Sequence, residues 1–122
     1  MPDPSFIILY VDDPVASAEF YARLLGRPPI ESSPTFAMHL LREGTMLGLW
    51  SRHTVAPVAE AGGGGAEVAF TVETRADVDA THAQWRAHGL PILQAPTDMD
   101  FGRTFVALDP DRHRLRVFAP AG

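Results

Sequence analysis

With 122 residues, 46% of them apolar and 20% charged, the chain has the make-up of a folded domain rather than a disordered segment. Its net charge of -5, from 15 acidic and 10 basic residues, comes without a basic cluster, which excludes a phosphate-gripping nucleic-acid surface. Cysteine is absent, which removes disulfides, thiol catalysis and thiolate metal sites together, and no apolar run approaches the roughly 18 residues of a membrane span.

In chain order, Met1-Pro2-Asp3-Pro4 offers no basic stretch ahead of an apolar one, so a cytoplasmic location without a secretory signal is expected. Ser5 to Val11, rich in β-branched and aromatic residues, predicts a strand that ends at Asp12-Asp13-Pro14. Asp13 can cap a helix that opens at Pro14, carries Val15, Ala18, Ala22 and Leu25 at helical spacing, and stops at Gly26. Three shorter strands follow at about Pro29 to Ser32, Thr35 to Leu41 and Thr45 to Trp50. The same order is then repeated. Ala66 to Val72 is a strand, Thr74 a cap, and about Arg75 to His88 a helix with Val78, Thr81 or His82, and Trp85 on one face, stopped by Gly89. Strands are again expected at Leu90 to Leu93, Arg103 to Leu108 and Arg114 to Phe118, and the two leading strands lie 61 residues apart.

The expected architecture is therefore α+β, one domain (1–122) of two βαβββ modules at about 4–55 and 66–120. A glycine-rich linker at about 56–65 joins them, read as a flexible segment that packs on nothing. Modules this small lack a sufficient core alone, so their sheets are expected to pair around a shared cleft, within one chain or by exchange between two. The alternative is a single ferredoxin-like domain without a cleft.

Asp13-Pro14, Ser17 to Tyr21 and Leu25-Gly26, with Phe101 to Phe105 and Asp109-Pro110-Asp111, resemble the glyoxalase and bleomycin-resistance family, also called the vicinal oxygen chelate superfamily. Arg112 departs from that pattern, since the turn there usually holds glycine. The fold implied carries lyases, dioxygenases, epimerases and non-catalytic antibiotic binders. Enzymes of the family hold a divalent metal on the first and last strand of each module, positions that correspond here to Phe6, Gly48, Glu67 and Arg116. Only Glu67 offers a donor, and Arg116 repels a cation. A one-residue slip would aim Ile7, Leu47, Val68 and Leu115 inward instead, which rescues nothing. No metal and no cofactor are expected.

The five histidines do not build another metal site. His82 and His88 read as solvated helix residues, His113 lies in a turn and His53 in the linker region, while His39, alternating with Ala37 and Leu41, is kept as a candidate ligand contact. Strand alternation places Phe6, Ile8 and Tyr10 on one face, and Met46, Gly48 and Trp50 on another. The second module adds Glu67, Ala69 and Thr71, then Arg114, Arg116 and Phe118. Such walls suit a planar, partly polar ligand, with Gly48 admitting a ring close to the backbone and Arg116 gripping a carboxylate or carbonyl. These aromatics could equally be core, and Glu67 could simply pair with Arg116.

Leu47 to Ser51 and Thr97 to Phe105 resemble the phenazine-antibiotic resistance branch of the superfamily, which implies a homodimer that sequesters a planar antibiotic. By that resemblance Trp50 would be the stacking platform, with Phe101, Arg103 and Phe105 near the ligand. The competing reading is a glyoxalase-like lyase, isomerase or dioxygenase-related enzyme with Glu67 as general base, its pKa raised among aromatics. A third is a dimer that uses the fold only for association.

Overall fold

The computed structural model describes residues 4–121, so Met1-Pro2-Asp3, weighed above for a signal, lies outside the described residues. The first half runs β1 (Phe6–Val11), α1 (Pro14–Leu25), β2 (Glu31–Ser32), β3 (Phe36–Leu40), a 3-10 turn (Arg42–Gly44) and β4 (Met46–Ser51). The second runs β5 (Glu67–Thr71), α2 (Arg75–Ala87), β6 (Ile92–Met99), β7 (Gly102–Leu108) and β8 (Arg114–Pro120). Each half forms a mixed four-stranded sheet, in the orders β1-β4-β3-β2 and β5-β8-β7-β6. The leading strand is parallel to the last, and the remaining pairs are antiparallel. The fold is α+β, built of two βαβββ modules.

Local chemistry sets the helix ends. Asp13 Oδ1 accepts from the N–H groups of Val15 and Ala16, Pro14 takes the first turn, and Gly26 closes the helix at φ 71° with its N–H donated to the Ala22 carbonyl. Thr74 and Asp77 form a reciprocal capping box at the start of α2. The buried stripe of α1 differs from the expected one. Pro14, Ser17, Ala18 and Tyr21 are buried, with Phe20 beside them, whereas Val15 is exposed. Pro14 already sits against the sheet, and the stripe starting there recurs at three, four and seven residues.

Other corrections concern lengths. β2 has two residues, while β6 runs far beyond Leu93 to Met99. Pro96 does not interrupt β6 because this is an edge strand, where a missing N–H breaks no ladder.

The chain divides into two compact units, 1–62 and 63–122. The glycine run is not free of packing, contrary to expectation. A Cβ at Gly63 would lie 2.6 Å from the Asp111 carbonyl oxygen, so that glycine lets the backbone rest on the β7–β8 turn. In that turn Arg112 does take a left-handed conformation, at φ 66°. The Asp109 carboxylate accepts from the N–H groups of Asp111 and His113, and the Arg112 N–H donates to the Asp109 carbonyl at 3.0 Å. In each unit the core lies between sheet and helix. Val11, Ala37, Leu47 and Leu49 are buried in the first; Phe105, Ala107, Leu115 and Val117 in the second.

Candidate functional site

Burying one face of each sheet under its helix leaves the opposite face open, and strand parity decides what it carries. In the first unit the register aligns Phe6 with Met46, Ile8 with Gly48, and Tyr10 with Trp50. Trp50 aligns in turn with Phe36, Gly48 with Met38, and Met46 with Leu40. The open face is thus apolar throughout. Phe6, Ile8 and Tyr10 remain 41–44% exposed, and Met46 and Trp50 are half-buried. The Phe36 and Trp50 rings meet edge-on at 6.1 Å.

Gly48 has an explanation other than the expected one. A Cβ there would stand 3.0 Å from the Phe36 ring and 3.4 Å from Ile8. The glycine makes room for the chain's own phenylalanine, so it carries no argument for a bound ring. Phe36, Met38 and Leu40 went unread in the sequence, because β3 is apolar at nearly every position and shows no alternation of its own. Only its pairing with β4 reveals which residues share the open face.

The second unit presents Glu67, Ala69 and Thr71 beside Arg114, Arg116 and Phe118, while Thr104, Val106 and Leu108 of the next strand share this side but are buried. Glu67 and Arg116 form a two-point ion pair, Nε to Oε1 at 2.8 Å and NH2 to Oε2 at 3.0 Å. NH1 of Arg116 also donates to the Thr104 hydroxyl at 3.1 Å, and that hydroxyl donates to the Val117 carbonyl at 2.9 Å. The guanidinium lies 5.9 Å from the Phe101 ring centre, and Phe101 meets Phe118 edge-on at 5.8 Å. Arg116 therefore grips Glu67, its own partner, rather than standing ready for a ligand carboxylate.

That pairing also decides the chemistry of Glu67. The hydrogen bonds from Arg116 hold its carboxyl below the ordinary value, overcoming the opposing effect of burial. A general base for neutral pH needs the reverse shift, so the raised pKa that the enzyme reading requires of Glu67 is not found, and Arg116 is what lowers it.

Three candidate residues stand on the other side of their sheets. His39 is buried toward α1, its ring 6.3 Å from that of Tyr21. Phe105 is fully buried between His82 and Trp85 of α2, at 5.3 and 5.4 Å. His82 is accordingly half-buried against Phe105 rather than fully solvated. Arg103 pairs with Asp79 of α2 at 3.0 Å and with Asp98 at 3.1 Å. Parity explains all three, since each alternates with an open-face neighbour: Met38, Thr104 and Val106. Phe101, in the turn before β7, does reach the open face.

The four positions matching the family's metal ligands lie on open faces, but their donor set does not fit a metal. Phe6 and Gly48 supply no donor, and the Glu67 carboxylate is held by a cation. Among the described residues no group of three or more histidine, aspartate or glutamate side chains is placed to hold an ion.

Comparison with known proteins agrees with this architecture. The family model described as Glyoxalase/Bleomycin resistance protein/Dioxygenase superfamily matches residues 4–117. The phenazine antibiotic resistance protein EhpR of Enterobacter agglomerans is 28% identical over 117 residues, spanning 93% of this chain and 89% of that protein. A protein of Agrobacterium tumefaciens solved by solution NMR is similar over 100% of both chains, with a TM-score of 0.92 and 59% identity. A glyoxalase/bleomycin resistance protein/dioxygenase family enzyme from Burkholderia phytofirmans gives a TM-score of 0.82 at 26% identity, covering 98% of this chain and 100% of that one.

Proposed function

The chain belongs to the glyoxalase/bleomycin resistance protein/dioxygenase superfamily, and from that premise we propose that it binds a planar aromatic small molecule, without a metal. One observation carries the reading: an open sheet face on which Phe6, Ile8 and Tyr10 stay exposed around the Trp50–Phe36 pair. Water is a poor neighbour for such a surface, and flat rings bury it well by offset or edge-on contact. The relative named for phenazine antibiotic resistance supports an antibiotic as the ligand, and holding that ligand without chemical change is the outcome proposed. The protein acts in the cytoplasm as a homodimer, in which part of the same apolar face is covered by a second copy. Sedimentation as a monomer at tens of micromolar would remove that part of the reading.

The decisive experiment follows tryptophan fluorescence of a Trp85→Phe variant as phenazine is added. Trp50 is then the sole reporter, and saturable quenching is expected. An unquenched signal across a series of planar aromatics would overturn the proposal. Protein that holds stoichiometric metal, and loses stability in chelator, would overturn its metal-free part.

A further inference from the structure

The four sheet edges of the two units are not protected alike. An unpaired strand edge offers its N–H and C=O groups to another chain, and proteins guard against this with short strands, prolines, charges or bulges. β2 has two residues, with Pro28-Pro29 before it and Pro34 after it, and carries Glu31. β6 contains Pro96 and Asp98 and slips register twice. β5 opens on the charged Glu67. β1 has none of these guards: from Phe6 to Val11 it holds no charge, proline or bulge, and its six residues pair with β4 in unbroken register.

The hydrogen bonds of β1 show which of its groups are on offer. The Met46 N–H donates to the Ser5 carbonyl and the Arg52 N–H to the Val11 carbonyl, both at 2.8 Å. Backbone groups of alternate residues turn to opposite sides of a strand, so those of Ser5, Ile7, Leu9 and Val11 turn to β4. Those of Phe6 and Ile8 turn outward, where β1 is the edge of its sheet and no strand of the described residues pairs with it. The edge is also apolar on both faces. Phe6 and Ile8 stand exposed on the open face, and Ile7, on the helix side, is 45% exposed.

What fits this edge is written in its own order. Phe6-Ile7-Ile8-Leu9-Tyr10 reads aromatic, three aliphatics, aromatic in either direction about Ile8. An antiparallel second copy therefore sets Phe6 beside the partner's Tyr10 and Ile8 beside the partner's Ile8, with no charge to repel. A two-fold axis closes that contact at two chains.

Resting on the homodimer of the reading above, we propose that the outer edge of β1 is its subunit contact, pairing antiparallel with β1 of a second copy across a two-fold axis at Ile8. The contact uses the first unit alone and extends its four-stranded sheet to eight strands. It covers the flank of Phe6, Ile8 and Tyr10 and leaves Trp50 and Phe36 open, so the apolar face of one copy continues into that of the other.

The chain has no cysteine, so a single one introduced is its only thiol. Ile8→Cys places two thiols at the axis with Cα atoms about 5.5 Å apart, within reach of a disulfide. Mild oxidation is expected to cross-link most of this variant as a dimer, whereas Ala69→Cys, at the matching place in β5, stays uncross-linked. Failure of Ile8→Cys to cross-link overturns the assignment. So does cross-linking of Ala69→Cys, or a mixture that links chiefly one variant to the other, since either puts β5 at the contact. In sedimentation at tens of micromolar, Ile8→Pro removes only an outward N–H and is expected to be monomeric, while Ile8→Thr keeps that N–H and stays dimeric. A dimer of folded Ile8→Pro overturns the edge pairing, as does a monomer of Ile8→Thr, which would assign the contact to side chains alone. The cysteine result stands whether or not Ile8→Pro folds. Wild type that sediments as a monomer overturns the homodimer and this inference with it; quenching of Trp50 by phenazine is read separately, so binding and assembly fail independently.

Discussion

Position by position, the open faces of the two sheets carry different chemistry on the same backbone. Phe6, Ile8 and Tyr10 in β1 stand where Glu67, Ala69 and Thr71 stand in β5; Gly48 and Trp50 in β4 stand where Arg116 and Phe118 stand in β8. The helix-covered faces differ far less. Leu47 and Leu115, then Leu49 and Val117, match in place, and all four are buried. Packing against a helix leaves a strand residue few options of shape, whereas an open face can exchange an aromatic for an ion pair at little structural cost. Function is therefore to be sought on the open faces, and substitutions on the two sides of one strand should behave differently.

The largest expected effect tests that division inside the second unit. Phe105→Ala empties a fully buried site between α2 and the sheet and should cost about 3–5 kcal/mol of stability. Phe118→Ala, on the open side and half-buried, should cost about 1 kcal/mol. Urea unfolding of both variants decides the matter; equal losses would mean the second face is as much core as the first.

Trp50→Ala probes the open face of the first unit. It should weaken phenazine binding by about 1–3 kcal/mol, the range for losing an aromatic anchor, while the protein stays folded. Unchanged affinity beside a stability loss of about 3 kcal/mol would make Trp50 a core residue and leave the apolar face without its main contact.

The frame of both units was legible in the sequence because local signals wrote it twice. Asp13-Pro14 and Gly26 bound α1, and Thr74 with Gly89 bounds α2, through contacts that span a few residues. Side assignment was legible only where polar and apolar residues alternate, or where the leading and last strands supplied the pattern. β3 is apolar at nearly every position, so His39 was assigned to the ligand side although it faces α1, and Arg103 and Phe105 were placed near the ligand by resemblance alone, which carries no information about which side of β7 they face. No local pattern separates Phe105 from Val106, since both are buried. The reason for Gly48 was equally invisible, because it lies across the sheet in the ring of Phe36.

The ion pair that marks the second face off from the first should respond to acid. Arg116 holds the Glu67 pKa below its ordinary 4.5. The folded state therefore binds that proton less readily, so the pair's stabilising effect is present above pH 4.5 and is lost as pH falls through the lower folded value. Wild type should exceed Glu67→Gln by about 1 kcal/mol at neutral pH, a modest value because the carboxylate is partly solvated. The gap should close in acid. A gap that stays constant with pH would assign the contribution to hydrogen bonding alone, with no part for charge.

The smallest effect at neutral pH concerns His39, which the first unit buries on its helix side where the second, in the matching place, has Ala107. The residue is 1% exposed and both ring nitrogens are buried. Burial lowers its pKa below 6.5, and the charge of Arg27 lowers it further. The sign is then fixed. Below pH 6.5 the unfolded chain takes up a proton that the folded chain refuses, so stability is complete above 6.5 and declines as pH falls toward the folded value. The loss sets in as pH falls below 6.5. His39→Leu removes the titrating group and keeps an apolar side chain against Tyr21, so its stability should run flat where the wild-type curve bends. Two parallel curves across that window would mean that His39 takes up its proton as easily inside the fold as outside it, and that this buried face, like the open ones, tolerates charge.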